Sequence, residues 1–190
     1  MTAQQLMTIN TITRDEYLQG ELESPVRHEY YNGHVYAMAG AGAKHNTISG
    51  NIFSILRQKS RGTDCRAFIA DMKLYIPDLE RFYYPDILLA CDPKDNEEYY
   101  RKNPCLIVEV LSASTEGIDR REKLHAYQGI ASVQEYLLVS QEKMQLEMYQ
   151  RKGDYWQYLL LEHKDDVLEL NCLDLELSML EIYEDVVWDS

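Results

Sequence analysis

The chain has 190 residues, of which 45% are hydrophobic and 27% charged, and this composition favours a single globular domain over residues 1–190. It contains no run of about 18 apolar residues and has a polar start without a signal peptide, so we expect a cytoplasmic protein that does not enter a membrane. The formal net charge of −13 argues against tight non-specific binding to nucleic acid, because such binding depends on lysine and arginine contacts with phosphates.

The amino-terminal part is predicted to contain a short helix, a hairpin and a longer helix. Thr13 and Glu16 have the spacing of a capping box, so a helix should begin directly after Thr13. The dipeptide Asn32-Gly33 tolerates the positive φ angles of a type I′ turn and lies between two alternating runs. The predicted bounds are 14–19 for the first helix, which Gly20 ends, 27–31 and 34–39 for the hairpin strands, and 45–59 for the second helix, which Gly62 ends.

The remainder of the chain is predicted to form an α/β or α+β core. Three strand-like runs are followed by a helix and another buried strand, and this order implies a right-handed crossover between parallel neighbours. A second hairpin is predicted around Gly153, and an acidic segment after it should form a strand pair and a terminal helix. The predicted bounds are 65–76, 82–91 and 105–111 for the three runs, 119–128 for the helix, 133–140 for the next strand, 144–150 and 155–161 for the hairpin, and 167–184 for the acidic segment. We therefore expect a mixed central sheet flanked by helices, with β-hairpins added at both ends.

Cysteines and basic residues give weaker indications. The four cysteines lack the Cys-x-x-Cys spacing of a zinc site or redox couple, and three occur in apolar runs, which predicts small core residues. The basic residues fall partly into two stretches, which can form a solvated face or local contacts to an anionic partner. The cysteines are Cys65, Cys91, Cys105 and Cys172, and the two basic stretches hold Lys44, Arg57, Lys59, Arg61 and Arg66, and Arg101, Lys102, Arg120, Arg121 and Lys123.

Glu109 is the one charged residue in the otherwise apolar run 105–111. A run of this kind is typical of a strand that is covered on both faces. An ionised carboxylate buried there without a partner would be very costly, so the fold must supply a cation or hydrogen-bond donors. The pattern therefore indicates either a core ion pair or a functional carboxylate.

A second carboxylate, Asp86, directly follows Pro85 and opens the preceding apolar run. Taken alone, Asp86 can be a turn residue after proline. If the two strands are neighbours, Asp86 and Glu109 can share one hard cation, Mg²⁺ or also Mn²⁺, through oxygen ligands. The carbonyl oxygen of Val110 and water molecules would complete its octahedral coordination.

The helix that follows Glu109 carries Asp119, Lys123 and Tyr127 at spacings of four residues, which places them on one face. Lys123 can reach back to the carboxylates, where an ammonium group positions an attacking water or stabilises charge on a phosphate. It can equally form only an intrahelical pair with Asp119. Both interpretations remain open at the level of the sequence.

The loop 40–44 and the start of the following helix suggest no chemistry by themselves. The small residues of the loop lack the full P-loop pattern, which favours a flexible connection. Asn46 is expected to cap the helix, and His45 beside it shows no metal-ligand spacing.

Together these residues resemble the restriction endonuclease family that occurs in many copies in cyanobacterial genomes, a part of the PD-(D/E)XK nuclease superfamily. The resemblance covers most of the chain. Its motifs are Pro85-Asp86, the run Ile107-Val108-Glu109-Val110-Leu111-Ser112-x-Ser114-Thr115, the helix motif Asp119-Arg120-x-x-Lys123-x-x-x-Tyr127, the segment Arg27-His28-Glu29-Tyr30-x-Asn32-Gly33, the helix at His45, and Val133-x-Glu135-Tyr136.

The resemblance implies a restriction-endonuclease-like core in which Asp86 and Glu109 bind a metal ion. It also implies a departure from the superfamily motif, because the usual lysine position, two residues after the glutamate, holds Leu111. Lys123 would then supply the ammonium from the helix, with Asp119 and Tyr127 in support. Glu29 matches the family's early acid and is either a further metal or water ligand or a surface residue of the hairpin.

Two functions are compatible with these features. The first is a Mg²⁺-dependent endonuclease that hydrolyses phosphodiester bonds in nucleic acid, foremost DNA. The second is a catalytically inactive protein of the same fold that forms homo-oligomers, in the simplest case dimers, and serves as a binding or scaffolding protein. The net charge and Leu111 favour the second function, whereas the acid and lysine positions favour the first.

Overall fold

The computed structural model describes residues 11–188, so the polar start predicted for residues 1–10 lies outside the described residues. The helices in chain order are α1 (Arg14–Glu23), α2 (Ala43–Lys59), α3 (Glu116–Ile118), α4 (Leu124–Gln128) and α5 (Met179–Ile182). The strands in chain order are β1 (His28–Tyr31), β2 (His34–Ala37), β3 (Arg66–Ile69), β4 (Lys73–Ile76), β5 (Arg81–Tyr83), β6 (Ile87–Ala90), β7 (Tyr100–Arg101), β8 (Pro104–Leu111), β9 (Glu135–Ser140), β10 (Leu146–Lys152), β11 (Tyr155–Leu161), β12 (Val167–Leu170) and β13 (Leu175–Ser178). A 3₁₀ turn (Pro77–Leu79) follows β4, and a π-helical turn (Asp119–Lys123) joins α3 to α4.

The strands form two large sheets and one small one. A five-stranded sheet has the order β2-β1-β5-β4-β7, a six-stranded sheet has the order β11-β10-β9-β8-β6-β3, and β12 pairs with β13. In the six-stranded sheet β8 and β9 are parallel, as the strand-helix-strand order predicted, while the other neighbours are antiparallel. The fold is therefore the expected mixture of helices and mixed sheets, with hairpins toward both ends.

Two of the predicted strands are each divided between the two large sheets, so the single strands predicted over 65–76 and 82–91 are wrong. The first run breaks at Ala70, which has a φ of +59°, and the second breaks around Pro85, which has no N–H to contribute to a ladder. The two breaks lie side by side, because the Ala70 amide donates to the Asp86 carbonyl at 2.9 Å. Asp86 thus lies at the junction of the sheets.

The predicted capping box is present at α1, but the helix continues past Gly20 to Glu23. Glycine is a weak helix former rather than a prohibited one, and tertiary packing decides the end of the helix. Tyr17 and Glu21, on either side of Gly20, are both buried. The first hairpin has the predicted turn, since Asn32 and Gly33 have φ angles of +44° and +91°.

Helix α2 packs an apolar stripe against the six-stranded sheet, because Ile48, Ile52 and Leu56 are fully buried in the core cluster that contains Val108 and Val110. The helix begins two residues before the predicted start, with Gly42 at the N-cap and no side-chain cap. The capping role expected for Asn46 is therefore wrong. At the other end the helix stops at Lys59, and Gly62 follows in a left-handed conformation.

The cysteines are disulfide-bonded, which corrects their interpretation as separate core residues. Cys65 pairs with Cys91 across β3 and β6, and Cys105 pairs with Cys172 in the loop between β12 and β13. Within residues 11–188, no helix is long and apolar enough to cross a membrane.

Candidate active site

Glu109 lies in the interior of the six-stranded sheet, on β8 between β6 and β9. All but one of the eight residues of this strand are buried, and Glu109 itself is 3% exposed. Its Oε1 atom accepts a hydrogen bond from the Tyr127 hydroxyl at 2.9 Å and another from Lys123 Nζ at 3.1 Å. The structure thus supplies both the cation and the hydrogen-bond donor that the sequence required.

Asp86 lies next to Glu109 because β6 runs antiparallel to β8, with Ile87 opposite Val108. The Val110 amide donates to Asp86 Oδ2 at 2.7 Å, and the Asp86 amide lies 3.4 Å from Glu109 Oε2. These reciprocal contacts fix the two carboxylates beside each other. The adjacency predicted from the sequence is therefore present.

Lys123 lies at the end of the π-helical turn and is 5% exposed. Its Nζ atom is 3.1 Å from Glu29 Oε1, 3.1 Å from Glu109 Oε1 and 3.2 Å from Asp119 Oδ1. The ammonium thus pairs with Asp119 within the helix and also reaches the strand carboxylate, so the alternative of an intrahelical pair alone is wrong. Turns of π geometry are often found at functional sites.

Tyr136, to which the sequence assigned no chemistry, and Glu29, for which it left two alternatives open, also hold this arrangement. Tyr136 on β9 donates its hydroxyl hydrogen to the carbonyl oxygen of Asp119 at 3.1 Å, which fixes the π-helical turn against the sheet. Glu29 on β1 is a partly buried member of the acid cluster, because its side chain is 14% exposed and contacts Lys123. The surface-residue alternative for Glu29 is therefore excluded.

His45 is a candidate site residue to which the sequence assigned no chemistry. It lies in the first turn of α2, and its Nε2 atom is 3.1 Å from Asp86 Oδ2. The ring also hydrogen-bonds to the backbone of Val110. Burial lowers the pKa of this imidazole, but the hydrogen bond and the charge of Asp86 outweigh burial and raise it above the ordinary value. The small-residue loop before α2 was the available signal, since it brings the helix close to the cluster.

The acid cluster, defined as Glu29, Asp86, Glu109 and Asp119, holds more negative than positive charge. Burial raises the pKa of Glu109 well above its ordinary value, and the charge of Lys123 offsets this only in part. Burial lowers the pKa of Lys123, but the surrounding carboxylates outweigh burial and hold that pKa well above its ordinary value. Four carboxylates thus share one ammonium and one imidazole, so the cluster is electrostatically suited to a further cation.

A cavity of about 580 Å³ opens onto the acid cluster. It is lined by residues 38–42, which include Gly40, Ala41 and Gly42 of the small-residue loop, and by the start of the helical segment that carries Lys123. The loop predicted to be a flexible connection is therefore a wall of the site. Asp86, Glu109 and Val110 all line this cavity, so that a small ligand has access to them.

The donor chemistry of this cavity fits a hard divalent cation. Within residues 11–188, no three histidine, cysteine, aspartate or glutamate side chains form a ready-made metal cage. The adjacent carboxylates of Asp86 and Glu109 instead offer two oxygen ligands, and the Val110 carbonyl and water molecules can supply the rest. Mg²⁺ commonly binds in this way, through one or two carboxylates and several waters.

The fold is similar to that of a solved structure from Anabaena variabilis, whose title describes a "putative nuclease belonging to DUF820". The two chains superpose with a TM-score of 0.69 at 17% sequence identity, over 90% of this chain and 98% of the other. This similarity shows that the chain shares the fold of that protein.

Residues 14–181 match the Uma2 family, described as "Putative restriction endonuclease", and the chain belongs to this family. Two uncharacterized proteins of Synechocystis are relatives. One is 35% identical over 174 residues, which cover 90% of this chain and 91% of the relative. The other is 38% identical over 158 residues, which cover 82% and 89%. The resemblance noted from the sequence motifs is thereby confirmed.

Proposed function

We propose that this protein is a Mg²⁺-dependent endonuclease that hydrolyses phosphodiester bonds of DNA, with Mn²⁺ as an alternative metal. The observation that carries the proposal is the contact of a charged, buried lysine with Glu109, beside a second carboxylate, on the wall of an open cavity. Asp86, Glu109 and the Val110 carbonyl would hold the metal ion. When bound, the ion would lower the pKa of a coordinated water and offset negative charge on the phosphate.

The protein's own residues have distinct roles in this reaction. Lys123 is held in its charged form by the three carboxylates around it, and by exchanging one of these contacts it would donate a hydrogen bond to the attacking water or to a phosphate oxygen. Asp119 and Glu29 position the lysine, and Tyr127 positions Glu109. Their contacts limit side-chain motion, and such positioning is a large part of catalysis by preorganised sites.

Leu111 is compatible with this mechanism. It is 5% exposed and belongs to the apolar cluster that also contains Ile107 and Tyr127, so the strand position used by the superfamily lysine is part of the core here. Lys123 reaches the same glutamate from the helix instead. Catalysis depends on where the ammonium lies in space rather than on its place in the sequence.

The proposal is tested with DNA circles, because a circle has no ends and only an endonuclease can open it. Supercoiled duplex plasmid and circular single-stranded DNA are incubated with Mg²⁺ or Mn²⁺. Glu109→Gln and Asp86→Asn should each lower cleavage by at least about 100-fold. Glu176→Gln, which changes an exposed acid on β13, is the matched control and should cleave normally. Absence of cleavage of both circles by the unaltered protein, or equal cleavage by the site variants, contradicts the proposal.

A second candidate function is that of a homo-oligomeric binding or scaffolding protein, and one feature favours it. The edge strand β11 has seven residues without a charge, and Tyr155, Tyr158 and Leu160 on it are each at least 46% exposed. An exposed edge strand without charges can pair with a strand of another chain. Most proteins block such edges unless they serve as an interface. Sedimentation at micromolar concentration should then detect a dimer that Leu160→Lys dissociates. A monomeric protein before substitution excludes this role.

A further inference from the structure

Few cationic side chains line the cavity beside the acid cluster and could bind the phosphates of a nucleic acid. Its charged lining among residues 11–188 includes five carboxylates, the four of the cluster and Glu122. The ammonium of Lys123 is already shared among Glu29, Glu109 and Asp119. Duplex binders gain much of their affinity by neutralising many phosphates, and this cavity is poorly suited to that task. Affinity for a substrate strand must therefore come in large part from another source.

An exposed aromatic ring at the cavity provides such a source. Tyr36 on β2 lines the cavity and remains 55% exposed. Its ring contacts the ring of Tyr31 edge to face, with centroids 5.4 Å apart and planes at 80°. Tyr31 is in turn packed against Tyr83 and the guanidinium of Arg81, so Tyr36 is supported from the interior. An exposed tyrosine that packs against a neighbouring ring is suited to stacking on a nucleic-acid base.

The cavity continues into a shallow groove that would guide the strand away from the acid cluster. The two depressions share Ser114, Ile118 and Glu122, and the groove is also lined by Arg121. Ile118 is 44% exposed, and the Arg121 Nε–H donates to the Gly117 carbonyl at 3.1 Å. The path thus offers the Tyr36 ring in the cavity and the Arg121 guanidinium, beside Glu116 and Glu122, in the groove.

We propose that this site takes unpaired nucleotides, as in a single-stranded segment of DNA, rather than continuous duplex. This inference rests on the endonuclease function proposed above and specifies its substrate class. A base stacks on Tyr36, and the backbone passes the carboxylates of Asp86 and Glu109 toward Arg121. In a duplex the base faces are covered by their neighbours, so only an unpaired base can use the Tyr36 ring.

The test measures binding separately from cleavage. A fluorescein-labelled 12-nucleotide DNA strand, its blunt duplex, and the duplex with a 12-nucleotide unpaired tail are titrated in Ca²⁺ and, separately, in EDTA, with fluorescence anisotropy as the readout. The single strand and the tailed duplex should bind at least about tenfold more tightly than the blunt duplex.

Variants connect this preference to the tyrosine. Tyr36→Ala should weaken single-strand binding about tenfold, whereas Tyr36→Phe keeps the ring and should stay within about twofold of the original affinity. Tyr155→Ala removes a tyrosine that is 64% exposed on β11, does not line the cavity, and should have no effect. Far-ultraviolet circular dichroism of each variant confirms that it is folded.

The inference is overturned if the blunt duplex binds as tightly as the single strand, if no strand binds, or if Tyr36→Ala behaves like Tyr155→Ala. None of these outcomes decides the endonuclease proposal, which is tested separately by cleavage of the DNA circles. Conversely, normal stacking-dependent binding with no cleavage of either circle contradicts the endonuclease and retains a single-strand-binding protein. The two failures are therefore distinguishable.

Discussion

The Nζ atom of Lys123 and the Oε1 atom of Glu109 lie 3.1 Å apart, and the two side chains are 6% and 5% exposed. A pair this deep in the protein loses nearly all of its hydration, which the direct contact alone does not fully offset. The tyrosine on the same oxygen and the two further carboxylates on the lysine supply the remaining interactions. The pair is thus a part of the core and of the candidate active site at once.

Removal of this lysine should destabilise the fold and increase its dependence on metal. Lys123→Ala leaves the acid cluster without its ammonium, and we expect the free energy of unfolding in urea to fall by about 3 kcal/mol. Lys143→Ala breaks an exposed pair with Glu162 and should cost less than about 1 kcal/mol. Millimolar Mg²⁺ should restore part of the loss in the first variant only. Equal effects of the two substitutions would show that the buried pair contributes no special stability.

His45 should influence metal binding through Asp86. Because its ring contacts both Asp86 and the Val110 backbone, His45→Ala should weaken Mn²⁺ binding by about 10- to 100-fold, as loss of outer-shell contacts commonly does. Isothermal titration calorimetry provides the measurement. His125→Ala, an exposed histidine on α4, serves as the control. Unchanged Mn²⁺ affinity in His45→Ala would remove this residue from the site.

Stability should depend on pH with a definite sign when metal is absent. The pKa values of Glu109, Asp119 and Glu135 are all raised, each chiefly by burial, so the folded protein binds more protons than the unfolded chain above a pH of about 4.5. The stability that these groups contribute is therefore present at lower pH and is lost as pH rises through their folded pKa values. Thermal unfolding in EDTA should show a lower midpoint at pH 8 than at pH 5.

Mg²⁺ provides the control for this pH effect. A divalent ion on Glu109 favours the ionised carboxyl, so the midpoint at pH 8 should rise with Mg²⁺ more than the midpoint at pH 5. Glu109→Gln should reduce this Mg²⁺ response. A metal-free protein that becomes more stable from pH 5 to pH 8 would contradict the direction assigned to the three pKa values.

The disulfide between Cys105 and Cys172 should contribute substantially to stability. The two residues are 67 positions apart, and the chain-entropy relation gives about 4 kcal/mol for a loop of that length. Joint replacement of both cysteines by serine should lower the free energy of unfolding by about this amount. Reductant should lower that of the unaltered protein further, because it also opens the disulfide between Cys65 and Cys91. A count of four reactive thiols in the folded protein without reductant would contradict both disulfides.

The main residues of the site were accessible from the sequence for a simple physical reason. A charged residue inside an apolar strand must have a partner, which led from Glu109 to Asp86 and, by helical spacing, to Lys123 and Tyr127. His45 gave no such signal, because it comes from a helix that is distant in sequence and polar at its start. Spacing along one element can predict a shared face, but it does not predict which distant element will pack there.

The strand pairing shows a similar limit. Apolar runs predicted one strand each over 65–76 and 82–91, but each run forms two strands that belong to different sheets. An apolar pattern indicates that a strand is buried and does not indicate which strand will pair with it. Tertiary contacts also decided the end of α1, where burial of Tyr17 and Glu21 outweighs the weak helical preference of Gly20. The Cys105–Cys172 disulfide likewise depends on a loop placed beside β8 by the whole fold.

That disulfide makes the chain from 105 to 172 a closed covalent ring. Glu109 and Lys123 are inside this ring, whereas His45 and Asp86 precede it, and Asp86 lies in the smaller ring that Cys65 and Cys91 close. A single protease cut at the exposed Gly153 turn would open the ring without separating the pieces. All four carboxylates of the acid cluster would remain on the fragment before the cut, and the Cys105–Cys172 disulfide would hold the second fragment to it. Electrophoresis would therefore show two fragments only after reduction.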